Sequence, residues 1–341
     1  MRLRAQRDAR RVADRQMSGP LGRKSMAGML FPSGDPAADR RASYAETMAH
    51  LGDMDAAIDV LSGALEIAPG WAAGWFRLGE FHDLVGDGDA AVTAWGRAMT
   101  LDPTDPFGAG LKRDLARAVP LVDTMPPAFV ELLFDQYAPR FETSLVEKLD
   151  YRGPDEIMSA LSVAGPDRVE RALDLGCGTG LMGERLRGIS GWLEGCDLSA
   201  RMLAEAEAKG IYDRLEKRDI GALDLGGAPF DLIVAADVFA YLGALERVVG
   251  WCAGMLAPGG RLAFTVEKAD TGVVLRESRR FAHGPDYIAR LLADAGCAHV
   301  TIKDCVVRLD RGAPIASLCV VATGLEASRN AGEEDRASLP A

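Results

Sequence analysis

The chain has little of what several chemistries require. Of its 341 residues, six are cysteine and four are histidine. The cysteines stand at 177, 196, 252, 297, 305 and 319, with no C-x-x-C pair, so a zinc ribbon and a dithiol redox motif are both excluded. Cys177, Cys196, Cys305 and Cys319 lie in or beside apolar strand-like runs. That is the usage of small buried hydrophobes in a reducing compartment, and the expected location is cytoplasmic. So few histidines argue against a metal centre, and none is expected. No apolar run approaches the roughly 18–20 residues of a membrane span, which excludes a transmembrane chain. Basic residues are in deficit, 39 against 50 acidic, and the net charge of -11 makes a nucleic-acid partner unfavourable.

What is present is ordinary globular composition, 48% hydrophobic and 26% charged, which rules out wholesale disorder. At about 100–200 residues per domain, two domains are expected. The charge is uneven. Residues 1–24 hold eight Arg or Lys and two Asp, a local +6, which leaves -17 for the remainder. The run Arg2, Arg4, Arg7, Arg10, Arg11, Arg15 lacks the apolar core of a secretory signal, and Asp8 and Asp14 count against a transit peptide. Residues 1–37 are expected to be a basic, disordered arm ending in a Pro/Gly linker, and 324–341 a flexible tail.

Sliding the chain against itself gives a match at offset 34. Gly52, Asp53, Asp55, Ala56, Ala57, Ala64 and Pro69 recur as Gly86, Asp87, Asp89, Ala90, Ala91, Ala98 and Pro103. Small residues at these places let paired helices approach closely, and proline ends the second helix. Helices are expected at 38–50, 54–67, 72–85 and 88–101, with 107–118 as a capping helix. The period and the second copy (Trp75, Leu78, Gly79, His82, Gly86, Ala91, Trp95, Ala98, Pro103) resemble tetratricopeptide repeats. The first copy has Arg41, Tyr44 and Ala45 at the Trp, Leu and Gly places. The resemblance covers 38–106 and implies a helical surface for a peptide or protein partner. A packing module that only oligomerises is the alternative.

From 127 to 323 the pattern becomes α/β. Short apolar runs at 169–175, 192–196, 215–217, 230–235, 261–266, 300–308 and 315–322 alternate with helical stretches, as in a doubly wound sheet. Ligands of such sheets bind beyond the carboxyl ends of the strands. Three acids fall there: Asp174 in Leu173–Gly180, Asp197 in Gly195–Ser199, and Asp219 before Ile220. Gly176 and Gly178, flanking Cys177, let backbone pass close beneath a ligand. Gly178–Gly183 also satisfies the dinucleotide pattern G-x-G-x-x-G. A carboxylate facing a pyrophosphate is unfavourable, whereas one facing an ammonium is favourable. The acids therefore favour S-adenosyl-L-methionine over NAD.

These pieces, with Phe230–Asp237 and Leu256–Gly260, resemble the class I S-adenosylmethionine-dependent methyltransferases. The resemblance implies a seven-stranded Rossmann-like sheet in the order 3-2-1-4-5-7-6, the last strand antiparallel. Phe134–Glu142, Leu149–Pro154, Lys209–Asp213 and Arg280–His283 are similar to the predicted methyltransferases that carry tetratricopeptide repeats and to methyltransferase-like proteins of the Williams–Beuren region. On this reading Asp174 binds the cofactor amino group, the Gly176–Gly178 backbone underlies the methionine portion, and Asp197 with Leu198 holds the ribose. Asp219 takes the adenine amine with Ile220 against the ring, and the carbonyl of Ala235 adds a contact. Candidates facing the acceptor, a small molecule or protein, are Tyr137, Asp237 and His283, with Arg140 and Tyr241 beside them. The contrasting reading is an interaction protein with a cofactor-binding but catalytically weak domain.

Overall fold

The computed structural model describes residues 31–117, 125–138, 141–143, 145, 149–164, 168–223, 227–276, 278–310 and 312–325. Most of the expected arm, nearly all of the expected tail and Arg140 lie outside these residues. The chain divides into two compact units, Met1–Val122 with Pro126–Phe129, and Asp123–Met125 with Val130–Ala341. Among the described residues no helix is long and apolar enough to cross a membrane.

The first unit is built from α1 (Pro36–Leu51), α2 (Met54–Ile67), α3 (Ala72–Val85), α4 (Gly88–Leu101) and α5 (Ala109–Arg117). Residues 34 apart perform the same task. Gly52 and Gly86 end α1 and α3 in the left-handed conformation, with φ of 89° and 83°. Asp53 and Asp87 cap the next helices, each accepting an amide, of Ala56 or Ala90, at 3.2 Å. The core between the helices is largely alanine, with Ala38, Ala45, Ala57, Ala64 and Ala91 fully buried. Gly79 has the same role: a Cβ there would lie 2.4 Å from Trp95 Nε1. Where the first copy departs from the second, Arg41 donates to the Gly63 carbonyl at 3.1 Å and Tyr44 is exposed. Residues 31–37, grouped with the arm in the sequence reading, are packed here. Trp71 Nε1 donates to the Phe31 carbonyl at 2.8 Å, and Asp35 caps α1.

The second unit follows α6 (Pro127–Tyr137) and α7 (Gly153–Ala164) with β1 (Val169–Leu175), α8 (Leu181–Arg187), β2 (Ser190–Asp197), α9 (Ala200–Ala208), β3 (Arg214–Lys217) and β4 (Phe230–Ala235). Then come α10 (Glu246–Met255), β5 (Leu256–Lys268), β6 (Val273–Leu275), β7 (Phe281–His283), α11 (Pro285–Asp294), β8 (Cys297–Asp310) and β9 (Ala313–Leu325). Strands β3-β2-β1-β4-β5 pair in parallel, β9 pairs antiparallel to β5, and β8 pairs with β9. For the seven strands expected, that is the expected order.

The strand count differs from the expectation: the described residues contain nine strands, because β6 and β7 form a short hairpin. Three residues per strand are too few for alternation to register in a sequence. Glu267 of β5 pairs with Ser317 of β9 on one side and Ala282 of β7 on the other. Since β4 pairs with β5 only as far as Phe264, β7 continues the ladder where β4 has ended. The hairpin thus stands at the carboxyl end of the sheet. Both faces of the sheet are covered. Leu173, Ile233 and Ala235 enter one core with α10 and α11, whereas Ala172, Leu232 and Val234 enter another with α7 and α8. Burial on both sides is why these strands read as continuous apolar runs.

Candidate active site

The loop after β1 is held by the end of β2. The amides of Gly176 and Cys177 both donate to the Cys196 carbonyl, at 2.8 and 2.9 Å. Gly176 has φ 71°, and a Cβ there would lie 2.6 Å from Val238, so no other residue fits without a shift. Gly178 has φ 53°, but among the described residues only Phe141, at 3.9 Å, would approach its Cβ. The space above Gly178 is therefore a cradle that a side chain would narrow. Cys177 is buried between them, and burial pushes its thiol up, which makes it inert packing.

Asp174 is fully buried, and Tyr212 donates its hydroxyl to Oδ2 at 2.7 Å. Oδ1 has no hydrogen-bond partner. Burial pushes the carboxyl up to about 7, against the Tyr212 hydrogen bond. Asp197 accepts the Gly178 amide on Oδ2 at 2.9 Å and the Ser199 amide on Oδ1 at 2.8 Å. Burial raises it as well, opposed by these amides and that of Leu198. Each of its oxygens keeps a lone pair for a further donor. Asp219, after β3, accepts the Gly221 amide at 2.8 Å and opens the short helical turn that starts at Ile220. Ile220 packs against the core, and Ala235 ends β4 fully buried. Among the described residues, no ion pair engages Asp174, Asp197 or Asp219.

A second acidic group is differently made. Asp237, just after β4, sits at φ 58°, with its amide donating to the Thr265 hydroxyl at 2.8 Å. Arg280 binds its Oδ1 and also donates to Glu267 at 2.7 Å and to the Tyr241 hydroxyl at 2.6 Å. Arg308 donates to Glu267 at 2.7 Å and lies 3.6 Å from Asp237 Oδ2. Arg276 lies 3.6 Å from Glu267 Oε2, so buried Glu267 and half-buried Asp237 meet three guanidiniums, of which Arg308 is buried. Tyr151 lies close enough to feel Asp237 and Asp174, and burial raises its hydroxyl.

The segment from α6 onward covers the ends of β1, β2 and β3. Asp135 accepts the Ser199 hydroxyl at 2.5 Å, Glu142 accepts the Thr179 hydroxyl at 2.7 Å, and Lys217 pairs with Glu131 at 2.5 Å. Phe134 meets Tyr241 and Phe141 edge-on, at 5.2 and 6.1 Å between ring centres. Tyr137 is half-buried at the end of α6. His283 is fully buried. Its Nε2 lies 3.0 Å from the Gly243 carbonyl, its ring stacks on Tyr287, and burial pushes its pKa down.

The structure brings Asp174, Gly176, Cys177, Gly178, Asp197 and Leu198 together and places Asp219 and Ile220 at the next strand end. It gathers Asp237 into the ionic cluster and turns His283 toward the loop after Tyr241. Sequence reasoning missed the roles of Tyr212, Arg280, Glu267 and Arg308. Tyr212 and Arg280 stood inside quoted motifs, but their partners are 38 and 43 residues away.

Residues 173–262 match a family model described as a methyltransferase domain. The second unit thus carries a class I methyltransferase domain, the class that uses S-adenosylmethionine, on a Rossmann-like sheet. The chain is 36% identical over 123 residues to malonyl-(acyl-carrier protein) O-methyltransferase of Enterobacter lignolyticus, covering 36% of this chain and 49% of that protein. It is 28% identical over 130 residues to ubiquinone biosynthesis O-methyltransferase of Burkholderia cenocepacia, covering 36% and 53%. The chain thus spans about half the length of these curated relatives. Among solved structures, the N-methyltransferase NodS of Bradyrhizobium japonicum with S-adenosylhomocysteine aligns with a TM-score of 0.42 and 23% identity, over 51% of this chain and 86% of that one.

Proposed function

We propose that this protein is an S-adenosylmethionine-dependent methyltransferase acting on a small-molecule or protein acceptor. The observation that carries the reading is Asp174, a fully buried carboxylate that has, among the described residues, one oxygen unpartnered and no ion pair. Such a group is costly unless a ligand brings the missing charge or donors. An ammonium-bearing cofactor fits that need, and the open space above Gly178 fits its close approach.

The cofactor supplies a methyl group already activated on a sulfonium. The residues then bind and align. Asp174 Oδ1 takes the ammonium, and the spare lone pairs of Asp197 take the ribose hydroxyls. Asp219 takes the adenine amine beside Ile220, with the Ala235 carbonyl as a further acceptor. The Phe134, Phe141 and Tyr241 rings exclude water on the acceptor side, with Tyr137 completing the cover. Asp237, joined through Arg280 to the Tyr241 hydroxyl, is the candidate to hold an acceptor proton. His283, uncharged and bonded to Gly243, serves by fixing the loop after Tyr241. The names of both curated relatives support an oxygen acceptor.

The helical unit reads as a pair of tetratricopeptide-like repeats, supported by the equivalent capping roles of Gly52–Asp53 and Gly86–Asp87. A peptide or protein partner, or a second copy, is its occupant. Six free cysteines fit a cytoplasmic setting.

Thermal shift with S-adenosylmethionine, S-adenosylhomocysteine and NAD tests the reading. Stabilisation by the first two alone is expected. No shift with S-adenosylmethionine at saturation would sink it. Binding without transfer of labelled methyl into any fraction of a cell extract would favour the interaction-protein reading.

A further inference from the structure

Tyr212 stands between β2 and β3, outside the loops assigned to the cofactor, yet three glycines from separate elements are shaped around it. A Cβ on Gly183 of α8 would lie 2.1 Å from its hydroxyl oxygen. One on Gly195 of β2 would lie 2.8 Å from its ring, and one on Gly180 would lie 3.2 Å away. The slot admits a phenol and directs its hydroxyl to Asp174 Oδ2, at 2.7 Å. Among the described residues the other oxygen, Oδ1, is buried with no hydrogen-bond partner.

We propose that Tyr212 is the positioning residue for the cofactor ammonium: by occupying Oδ2 from within the core, it orients the Asp174 carboxylate so that Oδ1 receives the cation. This inference rests on the methyltransferase reading and extends it to a residue that never touches the ligand. The physical case has two parts. A carboxylate on a strand end can rotate about its final torsion, and a charge-assisted hydrogen bond from a wedged ring removes that freedom. The same bond favours the ionised carboxylate, as the Gly183 amide also does, opposing the burial and the neighbouring Asp197 charge that raise it. Only the ionised form pairs with an ammonium, so the phenol extends binding toward lower pH.

The test is isothermal calorimetry on the full chain and its Tyr212→Phe variant between pH 6 and 8.5. The probes are S-adenosylhomocysteine, which bears the ammonium, and 5′-methylthioadenosine, which lacks it. The ring of Phe fills the same slot, so only the hydroxyl is lost. Affinity for S-adenosylhomocysteine is expected to fall about 10-fold near pH 6.5, with a smaller loss at pH 8.5. Affinity for 5′-methylthioadenosine should be unchanged, which also reports an intact fold. Gly183→Ala, which drives the phenol away from Asp174, should reproduce the selective loss. An unchanged S-adenosylhomocysteine affinity, or an equal loss for both probes in both variants, overturns the proposal. Failure of the unsubstituted protein to bind S-adenosylhomocysteine overturns the methyltransferase reading itself.

Discussion

Two groups of acids, each with one buried and one half-buried member, lie at the carboxyl end of one sheet, and they are neutralised differently. Asp237 and Glu267 share two guanidiniums, Arg280 and Arg308, and Glu267 has a third, Arg276, at 3.6 Å, so that cluster is neutralised within the protein. Asp174 and Asp197 have only neutral donors, a phenol and backbone amides. The first arrangement fixes geometry, joining β4, β5, the β6–β7 hairpin and β8. The second carries an unsatisfied charge that a cation from outside would balance. An acidic site is therefore diagnosed by what stands opposite it rather than by its acids.

The largest effect should come from breaking the balanced cluster. Arg280→Met leaves Asp237 with Arg308 alone, while Glu267 keeps Arg308 and Arg276. Destabilisation of about 3–5 kcal/mol is expected in urea unfolding of the second unit. A change below about 1 kcal/mol would show that water already reaches the cluster.

The opposite sign is expected at the unbalanced site. The folded-state value of Asp174, about 7, lies above that of an ordinary carboxyl. The folded protein therefore holds a proton that the unfolded chain releases between roughly pH 4 and 7, and stability falls across that window. Asp174→Asn removes the cost, so the unliganded variant should be more stable at pH 8 by about 4 kcal/mol and nearly indistinguishable at pH 4. It should also lose the shift caused by S-adenosylmethionine. A variant less stable at both pH values would mean that Asp174 is structural.

Asp197→Ala should lower S-adenosylhomocysteine affinity by about 100-fold, since two ribose donors lose a charged acceptor. Retained affinity in calorimetry would place the ribose elsewhere. Smaller still, Gly178→Ala should weaken binding about 10-fold while costing the fold only about 1 kcal/mol, because open space surrounds the added methyl. At Gly176 the ranking should reverse, with the fold suffering first through Val238.

Much of this was legible from residues near one another in the chain. The Leu173–Gly180 loop and the acids at 174, 197 and 219 follow from strand ends, which periodicity marks. The capping residues at 52–53 and 86–87 follow from a repeat. The ionic cluster was not legible: Arg280 and Arg308 reach Asp237 across 43 and 71 positions, and exposed arginines are equally common in a sequence. The setting of His283 was not legible either: a three-residue strand, too short to leave a pattern, turns its ring toward Gly243.

The sequence by itself determined the helix positions of the first unit and the principal strand segments of the second, because these depend on local periodicity, capping and glycine, whereas the strand order was implied by the family resemblance alone. Only the tertiary structure decided which acids are neutralised. Charge compensation depends on distance in space, and the partners that satisfy Asp237, or leave Asp174 Oδ1 alone, come from elements that only the folded sheet brings together.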